Sequence, residues 1–239
     1  MLQIVEILEP AEQGRTTPYL CQGDDGLRYY IKGRNAGRRS QWCEWLAGHL
    51  GRALGLPIPP FRVVEVPAEL LAEVPAKWRE IGAGPAFASE AQPLFQWSEP
   101  AAISRMPVEL RRDILVFDWW IRNMDRMAGN TNLLWDAKDS RLMVIDHNLA
   151  FDPDFDAVTF RAEHVFRADY EAVFGDLAER ARYGERLAGA LSVWRNACDN
   201  VPLDWHWEND ERDVAVNFDP AAAYETLACC LTPDFWRMV

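Results

Sequence analysis

Asp125 is followed five residues later by Asn130, in the run Arg122-Asn-Met-Asp-Arg-Met-Ala-Gly-Asn-Thr-Asn132. An apolar stretch, Leu133-Leu-Trp, comes next, then a polar turn, then Leu142-Met-Val-Ile-Asp146. Two carboxylates and an amide at this spacing suit phosphoryl transfer. Asp125 would orient or deprotonate an attacking hydroxyl, while the Asn130 amide oxygen and Asp146 would hold magnesium against nucleotide phosphates. Magnesium takes hard oxygen ligands and keeps several waters, so one carboxylate and one amide are enough protein. The competing reading is that Asp125 and Asn130 cap a helix and Asp146 merely ends a strand.

For the first reading to hold, the chain between the two motifs must double back. A hairpin with strands at 131–135 and 141–145, joined by Asp136-Ala-Lys-Asp-Ser140, would return Asp146 beside Asn130. Before it, Leu110, Ile114, Phe117 and Ile121 share one face of a helix predicted over 107–122. Upstream the pattern is strand-rich. Strands are predicted at 3–8, 19–22, 27–32, 61–66 and 81–91, with a turn at Gly23-Asp-Asp-Gly26. One helix interrupts them: Trp42, Trp45, Leu46, His49, Leu50, Ala53 and Leu54 keep helical spacing, and Gly55 ends it. Beyond Phe151, helices are predicted over 162–174, 183–196 and 220–230. The expectation is an α+β, protein-kinase-like two-lobed fold. Residues 1–92 would form a small β-rich N-lobe, and 93–239 a helical C-lobe carrying the Asp125 loop at the junction.

Only three lysines occur, Lys32, Lys77 and Lys138, among many arginines. Arginine serves for general surface charge, so Lys32 at the end of an apolar strand suggests a need for a compact ammonium, unless it is a solvated strand end. The turn Gly14-Arg-Thr-Thr17 could cradle phosphate with its backbone N–H groups. The backbone of Glu90 and Ala91, where a strand would run into a hinge, could hydrogen-bond adenine.

The 239 residues carry a net charge of −12, which argues against a broad nucleic-acid groove. The basic run Lys32–Arg39 would face phosphates or stay solvated. Five cysteines without a Cys-x2-Cys pair, and four scattered histidines, disfavour zinc and a disulfide framework; buried thiols are expected. No apolar run is long enough to cross a membrane, and the N-terminus lacks a signal-peptide pattern, so a cytoplasmic location is expected. Trp205-His-Trp207, beside an acidic run over 208–213, reads as packing of the helical lobe next to a solvated loop.

Several of these runs together resemble one family. Tyr29-Tyr-Ile-Lys32, Glu44-Trp-Leu-Ala47, Leu54-Gly-Leu-Pro57, Asn123-Met-Asp-Arg-Met-Ala-Gly-Asn-Thr-Asn-Leu-Leu-Trp135 and Ile145-Asp-His-Asn-Leu-Ala-Phe151 are similar to segments of HipA-like kinases, bacterial relatives of serine/threonine and lipid kinases. With the Gly14 turn, the points of resemblance span residues 14–151. The resemblance implies an ATP- and Mg2+-dependent kinase acting on a serine or threonine of a protein, and an adjacent antitoxin-like protein that restrains it. It also implies that Lys32 contacts the α- and β-phosphates and pairs with Glu44, that Gly14, Arg15, Thr16 and Thr17 cover the phosphates, and that Thr16 or Thr17 is an autophosphorylation site. Glu44 lies opposite the apolar face of its helix, where an ordinary exposed glutamate would also sit. Antibiotic phosphotransferases usually carry His-Gly-Asp at the equivalent loop, whereas type II phosphatidylinositol 4-kinases carry a related Arg-Asn-x-Asp-Arg run. Small-molecule and lipid acceptors therefore stay open, as does a nucleotide-binding module without turnover.

Overall fold

The computed structural model describes residues 1–11, 17–92, 94–98 and 100–237, without the side chains of 100 and 101. It divides into two compact units: Met1–Trp45 with Pro59–Pro93 and Asn200–Phe218, and Leu46–Ile58 with Leu94–Asp199 and Asp219–Val239.

The first unit is built on strands β1 (Leu2–Pro10), β2 (Tyr19–Gly23), β3 (Arg28–Lys32), β4 (Phe61–Val66) and β5 (Gly84–Glu90). They close into a barrel in the order β1-β2-β3-β5-β4. Closure comes from a short parallel pairing of β1 on β4, Leu2 against Val64 and Gln3 against Glu65. Successive strand residues point to opposite faces, and the inward set of Ile4, Ile7, Tyr19, Cys21, Tyr29, Ile31, Val64, Val66, Ala86 and Ala88 is buried as one cluster. The β2–β3 hairpin turns at Gly26, whose φ of 82° favours glycine. A six-residue helix α2 (Ala68–Glu73) and a 3-10 helix over Ala76–Ile81 lie between β4 and β5. Neither was expected from sequence. Pro67 and Pro75 break the region into pieces too short to show a period.

Helix α1 (Arg38–Ala53) follows β3. Residues 200–218 cover its first part. Trp205 is fully buried, donates from Nε1 to Pro85 O at 2.9 Å, and accepts at its own carbonyl from Trp42 Nε1 at 2.9 Å. The Trp205-His-Trp207 run is therefore packing material, as the sequence suggests. It packs against α1 and β5, however, and not within a helical lobe.

Among the described residues the second unit contains α3 (Val108–Trp120), a three-stranded sheet of β6 (Gln96–Trp97), β7 (Leu133–Asp136) and β8 (Arg141–Val144), and five further α-helices with short 3-10 turns. The β7–β8 hairpin pairs Leu133 with Val144 and Trp135 with Leu142. Asp136 stitches the turn, accepting from Lys138 N at 3.0 Å and from Arg141 Nη2 at 2.8 Å.

The helix expected over 162–174 is broken. Helix α4 (Ala157–Glu163) stops at His164, which leaves helical geometry at ψ 138°, and α5 (Tyr170–Phe174) follows a 3-10 turn. The helix expected from 183 starts earlier, as α6 (Leu177–Leu191), because Asp176 caps it by accepting from Ala178 N and Glu179 N. It also ends earlier, with α7 (Trp194–Asp199) separate from it. Helix α8 (Pro220–Ala228) is capped by Asp219 and carries proline in its first turn. Among the described residues no helix is long and apolar enough to cross a membrane. All five cysteines are thiols; Cys21, Cys43 and Cys230 are buried, but Cys229 is exposed.

Candidate active site

Asp125 sits in the loop between α3 and β7, and its carboxylate is held asymmetrically. Oδ2 accepts from Asn130 Nδ2 at 3.1 Å and from Asn132 Nδ2 at 3.1 Å. Among the described residues Oδ1 carries no hydrogen bond. The Asp125 backbone N–H donates to Asn123 Oδ1 at 3.3 Å. Asp125 accepts side-chain amides and caps no helix. Asn130 uses its nitrogen on Asp125, so its Oδ1 is the atom left for a cation.

Asp146 lies two residues beyond the end of β8. The loop and the strand end are tied by Ile145 N donating to Asn132 O at 3.1 Å. Asn132 and Asp146 both take left-handed backbone, with φ of 48° and 58°. Arg122 (φ 52°) and Phe151 (φ 58°) do the same, and Phe151 N donates to Ile121 O at 2.6 Å. Left-handed backbone costs an L-residue roughly 1–2 kcal/mol, less for Asn and Asp, and persists where surrounding contacts over-determine it.

At Asn132, and at Ile145 beside Asp146, Arg126 supplies such contacts. Its side chain is fully buried, and Nη1 donates to Asn132 O at 2.6 Å, Thr131 O at 3.3 Å and Ile145 O at 3.3 Å. Its charge is met by Asp118 of α3, with Nε to Oδ2 at 2.7 Å. Asp118 also accepts from Asn123 Nδ2 at 3.0 Å and contacts His164 Nε2 at 3.0 Å. Burial works to raise the Asp118 pKa, but the adjacent Arg126 charge and the His164 hydrogen bond outweigh it and bring the value down to about 2. Burial lowers the His164 pKa against the pull of Asp118. The resident pair is therefore Asp118 carboxylate with Arg126 guanidinium, and His164 is the neutral third member.

In the first unit, Lys32 ends β3 and Nζ forms an ion pair with Glu44 Oε1 of α1. Both side chains are buried, so Glu44 is not the exposed glutamate that its helical position suggests. Gln41 Nε2 donates to Lys32 O at 2.9 Å and fixes the strand end to the helix. Gly33 must lack a side chain: a Cβ there would stand 2.1 Å from Ile81 O.

The basic run after Lys32 is mixed, with Arg34 exposed and Arg38 buried. Arg34 is paired with Asp210, and the buried Arg38 donates to Gln41 Oε1 at 2.9 Å. Thr17 O accepts from Asn35 Nδ2 at 3.0 Å, whereas Gly14, Arg15 and Thr16 lie outside the described residues. The N–H groups of Glu90 and Ala91 donate to Pro60 O at 2.7 Å and Arg28 O at 2.8 Å. Both N–H groups are thus engaged within the chain.

Sequence reasoning passed over Asn132, Asn123, Asp118, Arg126 and His164. Asp118 carried a signal, being an acid inside the apolar run Ile114-Leu-Val-Phe-Asp-Trp-Trp-Ile121. So did Asn132, which repeats the amide of Asn130 two residues on.

Residues 4–239 match the family model described as HipA-like kinase. No curated protein sequence matches the chain significantly. Among solved structures, the proinflammatory kinase CtkA of Helicobacter pylori shares the fold, with a TM-score of 0.52 at 12% identity over 89% of each chain.

Proposed function

The chain belongs to the HipA-like kinase family, and from that premise we propose that it transfers the γ-phosphoryl group of ATP, with Mg2+, to a serine or threonine hydroxyl of a protein. Family membership and the kinase fold of the solved neighbour support phosphotransferase activity. The observation that carries the finer reading is the asymmetric grip on Asp125. With Oδ2 held by two amides, Oδ1 is the oxygen turned over to an incoming hydroxyl. As that hydroxyl oxygen bonds to the γ-phosphorus, Oδ1 takes its proton, the bond from the γ-phosphorus to the β–γ bridging oxygen breaks, and ADP leaves.

The donor set fits magnesium: a carboxylate on Asp146 and an amide oxygen on Asn130, both hard oxygens. Magnesium, when bound there, would neutralise phosphate charge. Lys32, steadied by Glu44, would present its ammonium to the phosphates. This reading takes the first unit as the β-rich N-lobe and the second as the helical C-lobe. It also includes Thr17 near the phosphates, an antitoxin-like restraining partner and a cytoplasmic setting. Net charge of −12 disfavours polyanionic acceptors.

The test is incubation with γ-labelled ATP and host lysate. Label is expected on protein serine or threonine. Asp125→Asn should retain nucleotide binding and lose about 10²–10⁴-fold in rate. Label confined to a lipid or a small alcohol, or undiminished transfer by Asp125→Asn, would overturn the proposal.

A further inference from the structure

One side chain reaches both halves of the candidate site. Arg126 Nη1 touches the carbonyls of Thr131 and Asn132, in the loop that carries the amides gripping Asp125, and the carbonyl of Ile145, the residue before Asp146. The guanidinium cannot swing, because Nε and Nη2 are occupied by the two oxygens of Asp118, at 2.7 and 3.4 Å. Asp118 is fixed in turn by Asn123 and His164, and Asn123 holds the backbone of Asp125. A planar fork with several fixed N–H directions can span carbonyls on separate segments, which a lysine ammonium on a flexible stem cannot do in one geometry.

We infer that Arg126 is a positioning residue for phosphoryl transfer, a strut that sets the register between the Asn130–Asn132 loop and Asp146 and so builds the cation-holding pair. Asp118 is its anchor. The inference rests on the kinase reading above. Arg126 is fully buried, so it would act through the backbone of the residues that meet substrate and phosphate. Groups that orient ligands from behind typically change metal affinity by about 10–100-fold when altered.

The experiment compares wild type, Arg126→Lys and a control of matched stability loss, Leu187→Ala, which removes a buried side chain of α6 far along the chain from the loop. Two quantities are read on folded protein: Mn2+ affinity in the presence of a non-hydrolysable ATP analogue, by electron paramagnetic resonance, and kcat against KM for ATP. Arg126→Lys should weaken Mn2+ binding about tenfold or more and lower kcat more than it raises KM. Leu187→Ala should leave both unchanged per folded molecule. If Arg126→Lys does not fold, Asp118→Asn, which keeps the anchor's shape, should shift Mn2+ affinity in the same direction. Mn2+ affinity unchanged in the folded strut variants, with wild type active, overturns the strut alone. A wild type that neither binds the Mn2+–nucleotide pair nor transfers label overturns the kinase reading beneath it.

Discussion

The buried pair of Lys32 and Glu44 separates stability from function in a measurable way. Their side chains are 9% and 4% exposed, so water screens the pair little. Removing one member of a buried pair leaves an uncompensated charge and typically costs about 3–5 kcal/mol, whereas replacing both with apolar residues of similar volume is often neutral or stabilising by about 1–4 kcal/mol. Glu44→Leu should therefore lose up to about 3–5 kcal/mol, a large share of the roughly 5–15 kcal/mol that holds a domain folded. In a chain of this length the full loss corresponds to a fall of about 6–20 °C in Tm. Lys32→Met with Glu44→Leu should recover much of the loss, because both buried charges and their desolvation costs are removed together. The recovered protein should still fail to transfer phosphate, because the ammonium is gone. Urea and thermal unfolding of the four corners of the cycle, alongside γ-labelled ATP transfer, give both readouts. If Glu44→Leu is as stable as wild type, Glu44 is not what compensates the Lys32 charge. If the double variant transfers phosphate normally, Lys32 has no place in the chemistry.

Acid should weaken the fold in two steps. His164 and His49 have pKa values lowered by burial, so each is favoured neutral in the folded state; that stability is present above about pH 6.5 and is lost as pH falls below it. Asp118, at about 2 against an ordinary 3.8, contributes stability above pH 3.8 that is lost as pH falls towards 2. Urea midpoints between pH 7.5 and 5 should decline, and His164→Gln should shrink the decline; a flat profile in wild type would contradict the burial argument. Asp146→Ala should reduce the thermal shift given by ATP with magnesium without unfolding the protein alone, and an undiminished shift would remove Asp146 from the cation site. Gly33→Ala should destabilise by more than about 1 kcal/mol, because its methyl meets the fixed Ile81 carbonyl 2.1 Å away; an unchanged Tm would show that the 3-10 segment yields.

Much of the strand pattern was legible because alternation and turn residues are local. Strand 61–66 matches β4 residue for residue, and the β7–β8 hairpin falls inside its predicted limits. Helix ends after 151 were less legible: His164 leaves its helix to meet Asp118, a partner 46 residues away in sequence, and no local pattern announces that. The same limit applies to the site. Asp125, Asn130 and Asp146 could be singled out by residue type and spacing. Asp118 stood out as an acid inside an apolar run, but its pairing with Arg126 did not, because an ion pair leaves no local pattern that joins its two members. Glu44 was ambiguous because helical periodicity assigns it to a polar face, while its ion-pair partner Lys32 comes from β3, outside the helix.

That returning segment has a consequence for how the protein is made. The first unit takes its early residues from the start of the chain, yet Trp205 and its neighbours are the wall that seals it. A ribosome adding about 5–20 residues per second needs roughly 6–25 s to travel from residue 93 to residue 218. During that interval the barrel can close, but Trp42 and Trp45 lack their indole cover. Chaperone engagement on nascent chains should therefore persist after the barrel strands emerge and end only when residue 218 clears the exit tunnel. Any product ending near residue 199 would carry the Asp125 loop yet lack this cover, and would remain a client of the quality-control machinery.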